Sequence, residues 1–195
     1  AFRGQDEILG SCNNGNFLGL IELLSQFDPF LASHISRYGN AGRGSVSYLS
    51  YTTCNEFIQL MAKEILLTII SQVKTAKYFA ISVDSTPDIC HVDQLTLILR
   101  FIDLSGKPVE RFIKFIPISS HDSETLSKVI LETLSEYGIC ISDCRGQSYD
   151  NASNMSGKYR GVQARLKRVN KLVEFVPCSA HSLNLVGTCA AECCV

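Results

Sequence analysis

Charge of either sign in excess is the first thing this sequence lacks. Eighteen Lys and Arg face nineteen Asp and Glu, leaving a formal net charge of −1. That balance excludes a strongly basic nucleic-acid-binding module, so any DNA contact must use a local patch or another part of a larger protein. A long apolar run is missing too. The stretch Ile65 to Val73 is short and interrupted by Ser71 and Gln72, which excludes a membrane-spanning helix. The opening residues, AFRGQDEILG, have no apolar signal core, so the chain is expected to be intracellular and soluble. Position 1 is not Met, and the expectation is a piece of something longer. Internal repeats and low-complexity tracts are absent as well.

Cysteine, by contrast, is plentiful: nine residues, an odd number. With no signal peptide and a chain of this length, a secreted disulfide framework does not fit, and most of these thiols read as buried or incidental in a reducing compartment. A zinc site from Cys140, Cys144, Cys178 and His181 is conceivable, but no paired CxxC arms stand at finger spacing.

With 46% hydrophobic residues over 195 positions, the chain can bury one sizeable core, with a helical extension. Residues 1–16 are polar and glycine-rich and read as loose. Residues 17–75 read as a helical region. Phe17, Leu20, Ile21, Leu24 and Phe27 recur at helical spacing before Pro29 interrupts. From Thr53 to Lys74, Phe57, Leu60, Met61, Ile65, Ile69 and Val73 form a stripe expected to pack against a sheet.

Residues 76–195 change character. Tyr78 to Val83, Gln94 to Ile102 and Val109 to Ile118 read as three strands in an antiparallel meander, with DLSGK at 103–107 as a turn. Asp122 or Ser123 can cap a helix that Gly138 stops. A fourth strand follows over Ile139 to Tyr149, then a basic helix from Gly161 to Asn170, a last strand from Leu172 to Val176, and a final helix from Ala180. This order predicts an α/β fold: a ribonuclease H-like mixed five-stranded sheet flanked by helices, with an N-terminal helical extension.

Two acids stand out in that frame. Asp150 follows the fourth strand and precedes NASNMSG, residues that favour tight turns. Asp84 ends the run YFAISV, ahead of Ser85, Thr86 and Pro87. Each reads alone as an Asx turn or a cap. Together, two strand-end carboxylates on neighbouring strands can hold a divalent metal, since magnesium takes oxygen ligands and often only one or two protein carboxylates. Asp88 and Asp93 read as turn and cap residues, and His91 and His121 as solvated loop residues. Asn154 is expected to contact the far side of its own turn. The basic run Arg160 to Lys171 reads as a solvated helix face or a track for DNA phosphates.

VDSTPD at 83–88, DQLTLILRF at 93–101, SYDNASNMSG at 148–157 and CSAHSLNLV at 178–186 together resemble a hAT-superfamily transposase, of the group related to zinc-finger MYM-type protein 1. QFDPFLASHI at 26–35 fits the same group. The resemblance implies that Asp84 and Asp150 are the first two acids of an Asp-Asp-Glu triad that binds Mg2+ or Mn2+ for DNA cleavage and strand transfer. It implies that Cys178 and His181 match a Cys-x-x-His motif close to the site. In that family the third acid, a Glu, follows a large helical insertion, and a dimerisation region lies further on. Neither is in this sequence, so the resemblance implies a truncated core, weakly active or inactive as it stands. DNA is the implied partner and the nucleus the implied location, with homo-oligomerisation through the missing region. No small-molecule substrate is implied. The alternative is a domesticated, non-catalytic nuclear scaffold. On the residues alone, His181 could orient a carboxylate, contact a phosphate, ligate a metal, or pack against Phe175 and Val176.

Overall fold

A computed structural model describes residues 2–41, 47–87 and 93–193. Asp88 and His91, noted above, lie outside the described residues, as do two of the nine cysteines, Cys90 and Cys194. The chain divides into two compact units, Ala1–Ile65 and Leu66–Val195.

In the first unit, helix α1 (Gly15–Ser25) is followed by α2 (Pro29–Tyr38). The break falls where Pro29 lacks an amide hydrogen, and Asp28 caps the new helix by accepting from the Phe30 and Leu31 amides. The segment read as loose carries backbone bonds, Gln5 N–H to the Asn13 carbonyl at 2.8 Å and Phe17 N–H to that of Phe2 at 2.9 Å. The side chain of buried Asn14 donates to Glu22. An open groove of about 810 Å3, lined by residues that include Phe17, Leu24, Phe30, Tyr48 and Phe57, runs along this unit.

The division falls within α3 (Tyr51–Ala76), ahead of residue 76, where the sequence reading starts the core. The reason is packing. Ile69 and Val73 are buried in the sheet core, with Leu66 against it. Phe57, Leu60, Met61 and Ile65 are exposed, so only the second half of the expected stripe is buried.

The second unit holds a five-stranded sheet in the order β3-β2-β1-β4-β5, with β1 Phe79–Pro87, β2 Asp93–Ile102, β3 Pro108–Pro117, β4 Cys144–Ser148 and β5 Glu174–Phe175. The first three strands pair antiparallel, while β4 pairs parallel to β1 and β5 parallel to β4. This is the mixed sheet expected. Helix α4 (Ser123–Glu136) is capped by Asp122 and ended by Gly138 at φ +60°, the left-handed conformation that favours glycine. A short α5 (Ser153–Ser156), then α6 (Val162–Val169) and α7 (Ser179–Glu192), complete the described helices.

The last two strands are shorter than expected. Residues 141–143 form a 3-10 turn, so β4 starts only at Cys144. β5 has two residues, although Val176 N–H continues the pairing to the Gln147 carbonyl at 2.9 Å. Alternation along β1 and β2 places Phe79, Ile81, Val83, Leu95, Leu97, Leu99 and Phe101 on one face, all at most 3% exposed. They share one core with Leu126, Ile130 and Leu134 of α4 and Val162 and Leu166 of α6. The side chains between them, Ala80, Ser82, Asp84, Thr96 and Ile98, form the opposite face and are half-buried or exposed. No helix among the described residues is long and apolar enough to cross a membrane.

Candidate functional site

The parallel ladder between β1 and β4 brings the two acids to one end of the sheet. It pairs Ala80 with Gly146, Ile81 with Gln147 and Ser82 with Ser148, and stops there. Residues paired in a parallel ladder point to the same face, and the pattern repeats every second residue. Asp84 and Asp150 each lie two residues beyond the last pair, Asp84 still within β1 and Asp150 in the turn that follows β4. One expectation needs correcting: Asp84 does not end its strand. β1 continues to Pro87, held by β2 alone through Asp84↔Thr96, Ser85↔Leu95, Thr86↔Gln94 and Pro87↔Asp93. Pro87, which has no amide hydrogen to give, stands at the last described pair of this ladder.

Each carboxylate spends one oxygen locally. Asp84 Oδ1 accepts from the Ser85 amide at 3.0 Å, and Asp150 Oδ1 accepts from the Ala152 amide at 3.2 Å. The Asx turn at Asp150 is therefore real, and it leaves Oδ2 available. Behind the turn, Gly157 and Gly161 approach closely: a Cβ at Gly161 would sit 2.5 Å from the Gly157 nitrogen, so the loop admits glycine there.

Cys178 and His181 are delivered by the chain leaving β5. Cys178 N–H donates to the Tyr149 carbonyl at 2.9 Å, one residue from Asp150, and Cys178 opens α7. The hydrogen bond from His181 holds the Cys178 thiol below its ordinary pKa. That same bond raises the His181 pKa, with smaller contributions from the charges of Cys178, Asp84 and Asp150. All four sequence-predicted residues thus share one electrostatic neighbourhood. His181 is exposed and so lies outside the buried core.

Other predicted groups do not assemble. Cys144 is buried, its thiol bonded to the Gly146 carbonyl and pushed up to about 11 by burial. Cys140 is exposed and pairs with Ser142. Among the described residues, no three His, Cys, Asp or Glu side chains gather as a metal-ligand set, so the four-ligand zinc site is not formed. Two carboxylates, each with one oxygen that has no hydrogen bond among the described residues, fit magnesium, which keeps several waters and needs only one or two protein carboxylates. The basic helix uses its charge internally: Arg165 pairs with Glu124, Lys167 with Glu174, and Arg168 donates to the Tyr159 carbonyl.

Several residues around the site carry no local sequence signal. Gln147 is buried, donates to the Gln163 carbonyl and accepts from the Tyr149 hydroxyl. Tyr149, also buried, stacks on Phe175 with ring centroids 6.0 Å apart. His121 is solvated, as expected, and also pairs with Asp93. Asn154 donates to the His121 carbonyl, not across its own turn.

Comparison with known proteins agrees with this architecture. A family model described as ZMYM1/FAM200, RNase-like domain matches residues 1–161, a span that includes Asp84 and Asp150 but stops ahead of Cys178. Two curated relatives are both named 52 kDa repressor of the inhibitor of the protein kinase. The Homo sapiens protein is 28% identical over 139 residues, covering 71% of this chain and 18% of the relative. The Mus musculus protein is 31% identical over 114 residues, covering 58% of this chain and 15% of the relative. The aligned region thus spans less than a fifth of each relative.

Proposed function

The chain belongs to the ZMYM1/FAM200 RNase-like domain family, and from that membership we propose that it is the front part of a ribonuclease H-like core derived from a hAT-type DNA transposase. Asp84 and Asp150 would hold Mg2+ or Mn2+ through their uncommitted oxygens. A divalent cation held there supplies a lowered pKa for an attacking water or 3′-hydroxyl and charge to stabilise the leaving oxygen. His181, its protonated form favoured by Cys178 and the two acids, provides positive charge suited to a DNA phosphate. DNA is the partner in this reading and the nucleus its setting.

The observation that supports the reading is the ladder register, Ser82↔Ser148, whose last rung lies two residues before each acid. The test is calorimetric titration of the chain with Mn2+, beside an Asp84→Asn, Asp150→Asn double variant. Saturable binding that disappears in the variant supports the reading. Equal binding, or none, in both proteins sinks it for this chain.

A second reading is favoured by a separate observation: among the described residues no third carboxylate, histidine or thiol joins the two acids as a ligand. On that ground the domain serves as a domesticated, non-catalytic nuclear scaffold. The relatives' name, a repressor, suits a protein acting through association rather than chemistry. Measurable DNA nicking by this chain with Mn2+ would eliminate the scaffold reading.

A further inference from the structure

We propose that Asp93, His121 and Asn154 form a positioning brace that sets the separation of Asp84 and Asp150. The inference rests on the reading of those two acids as one site. The need for a brace follows from where the sheet ladder ends. Beyond Ser82↔Ser148, no backbone pairing joins β1 to β4. From there Asp84 belongs to the β1–β2 hairpin, while Asp150 belongs to the turn ahead of α5. Two carboxylates that share a cation must keep their geometry to within about 0.5 Å, and two segments with no backbone pairing between them need another link to do this.

Three links bridge the gap. β1 ends with Pro87 paired to Asp93. Asp93 Oδ2 meets His121 Nε2 at 2.8 Å, and the Asp93 carbonyl accepts the Ile118 amide at 2.9 Å. The His121 carbonyl in turn accepts Asn154 Nδ2 at 2.8 Å, four residues after Asp150. The route therefore runs from the strand bearing Asp84, through the β3–α4 loop, to the turn bearing Asp150. The loop's far end is anchored where α4 begins: Ser123 Oγ donates to the Arg160 carbonyl, just ahead of α6, at 2.6 Å and accepts from Arg165 Nε of α6 at 3.2 Å. A loop fixed on that side can transmit position between the other two.

Position, rather than stability, is what such links can supply. The side chains of His121 and Asp93 are 51% and 41% exposed, and pairs this open to water contribute little to folding. None of the three touches Asp84 or Asp150 in a hydrogen bond described here, so they act through the segments they join.

The experiment compares wild type with Asn154→Ala, His121→Ala and the double variant, by amide hydrogen exchange, thermal melting and Mn2+ calorimetry. His121→Ala keeps the backbone acceptor for Asn154 and cuts only the Asp93 link, so the two single variants break different joints. Expected are melting temperatures near wild type and exchange in segments 118–122 and 150–157 faster by roughly two- to fivefold, the size implied by losing one exposed link. Mn2+ affinity should weaken by a similar factor. Because His121→Ala leaves the Ile118 amide on the Asp93 carbonyl, Asn154→Ala should have the larger effect, and the double variant should match it. Unchanged exchange at 118–122 in Asn154→Ala overturns the brace, whatever happens to the metal. Faster exchange with undiminished Mn2+ affinity also overturns it, leaving a structural link with no role at the site. A wild-type chain that binds no Mn2+ brings down the reading of Asp84 and Asp150 and the positioning role with it. That failure is recognisable because it appears before any substitution is made.

Discussion

The two faces of the central sheet differ in what covers them. On one, Ile81, Val83, Leu95, Leu97 and Leu99 are at most 3% exposed beneath α4 and α6. On the other, Ser82, Thr96 and Ile98 are half-buried, and Phe112 and Phe115 keep 48% and 56% of their surface, their rings 4.7 Å apart. Asp84 lies on this second face by alternation. The contrast shows a division of labour. The covered face holds the strands in register through apolar burial. The open face can then carry a carboxylate that water solvates, without the desolvation cost it would meet inside.

Truncation on the covered face should have the largest effect. Leu97→Ala removes a fully buried side chain and is expected to cost about 2–5 kcal/mol, from lost burial plus the cavity left behind. Phe112→Ala on the open face is expected to cost less than about 1 kcal/mol. Urea denaturation followed by circular dichroism compares them, and equal losses would mean that the open face is covered after all.

The next effect concerns the acids themselves. Asp84→Asn and Asp150→Asn should leave the urea midpoint near that of wild type, since each acid's described hydrogen bond is local and at the surface. A large drop in either variant would give that acid a structural role and blur the contrast between the faces.

Cysteine chemistry gives a smaller and sharper comparison. Cys178, held low by His181, should form thiolate at lower pH than an ordinary thiol and be alkylated there by iodoacetamide. Cys144, raised by burial, should stay unmodified in the folded chain. In His181→Ala the Cys178 pH–rate profile should move upward. Peptide mass spectrometry reads both sites at once, and a profile that does not move would remove His181 as the cause.

Smallest is the acid response of α4. The Asp122 pKa is lowered by its bonds to Thr125 and Ser120. A carboxylate with a depressed folded-state pKa contributes stability that is complete above its unfolded value, near pH 4, and is lost as pH falls further. Asn caps nearly as well but does not titrate. Wild type should therefore lose melting temperature relative to Asp122→Asn only below roughly pH 4, and a difference confined to neutral pH would contradict this assignment.

Much of this was legible in the chain itself. Pro29 after Asp28, Asp122 before Ser123 and Gly138 after a helical run are local signals, because caps and turns are made by residues a few positions apart. The order of strands and helices followed from periodicity. The ends of β4 and β5 were not legible: the 3-10 turn at residues 141–143 replaces strand pairing in a segment whose apolar residues suit either. Nor was the open half of α3, since an amphipathic stripe states what can be buried, not whether a partner is there to bury it.

Local residue patterns were enough to name the candidates: two acids beside strand-forming runs, a Cys-x-x-His pair, and enough alternating apolar residues to build a sheet. Only the tertiary structure decided which of them meet. The parallel pairing of Ser82 with Ser148 joins segments 66 residues apart in the chain, and the bonds from His121 to Asp93 and Asn154 span 28 and 33 residues. Contacts of that range come from the packing of the whole core, and no local pattern of residues encodes them.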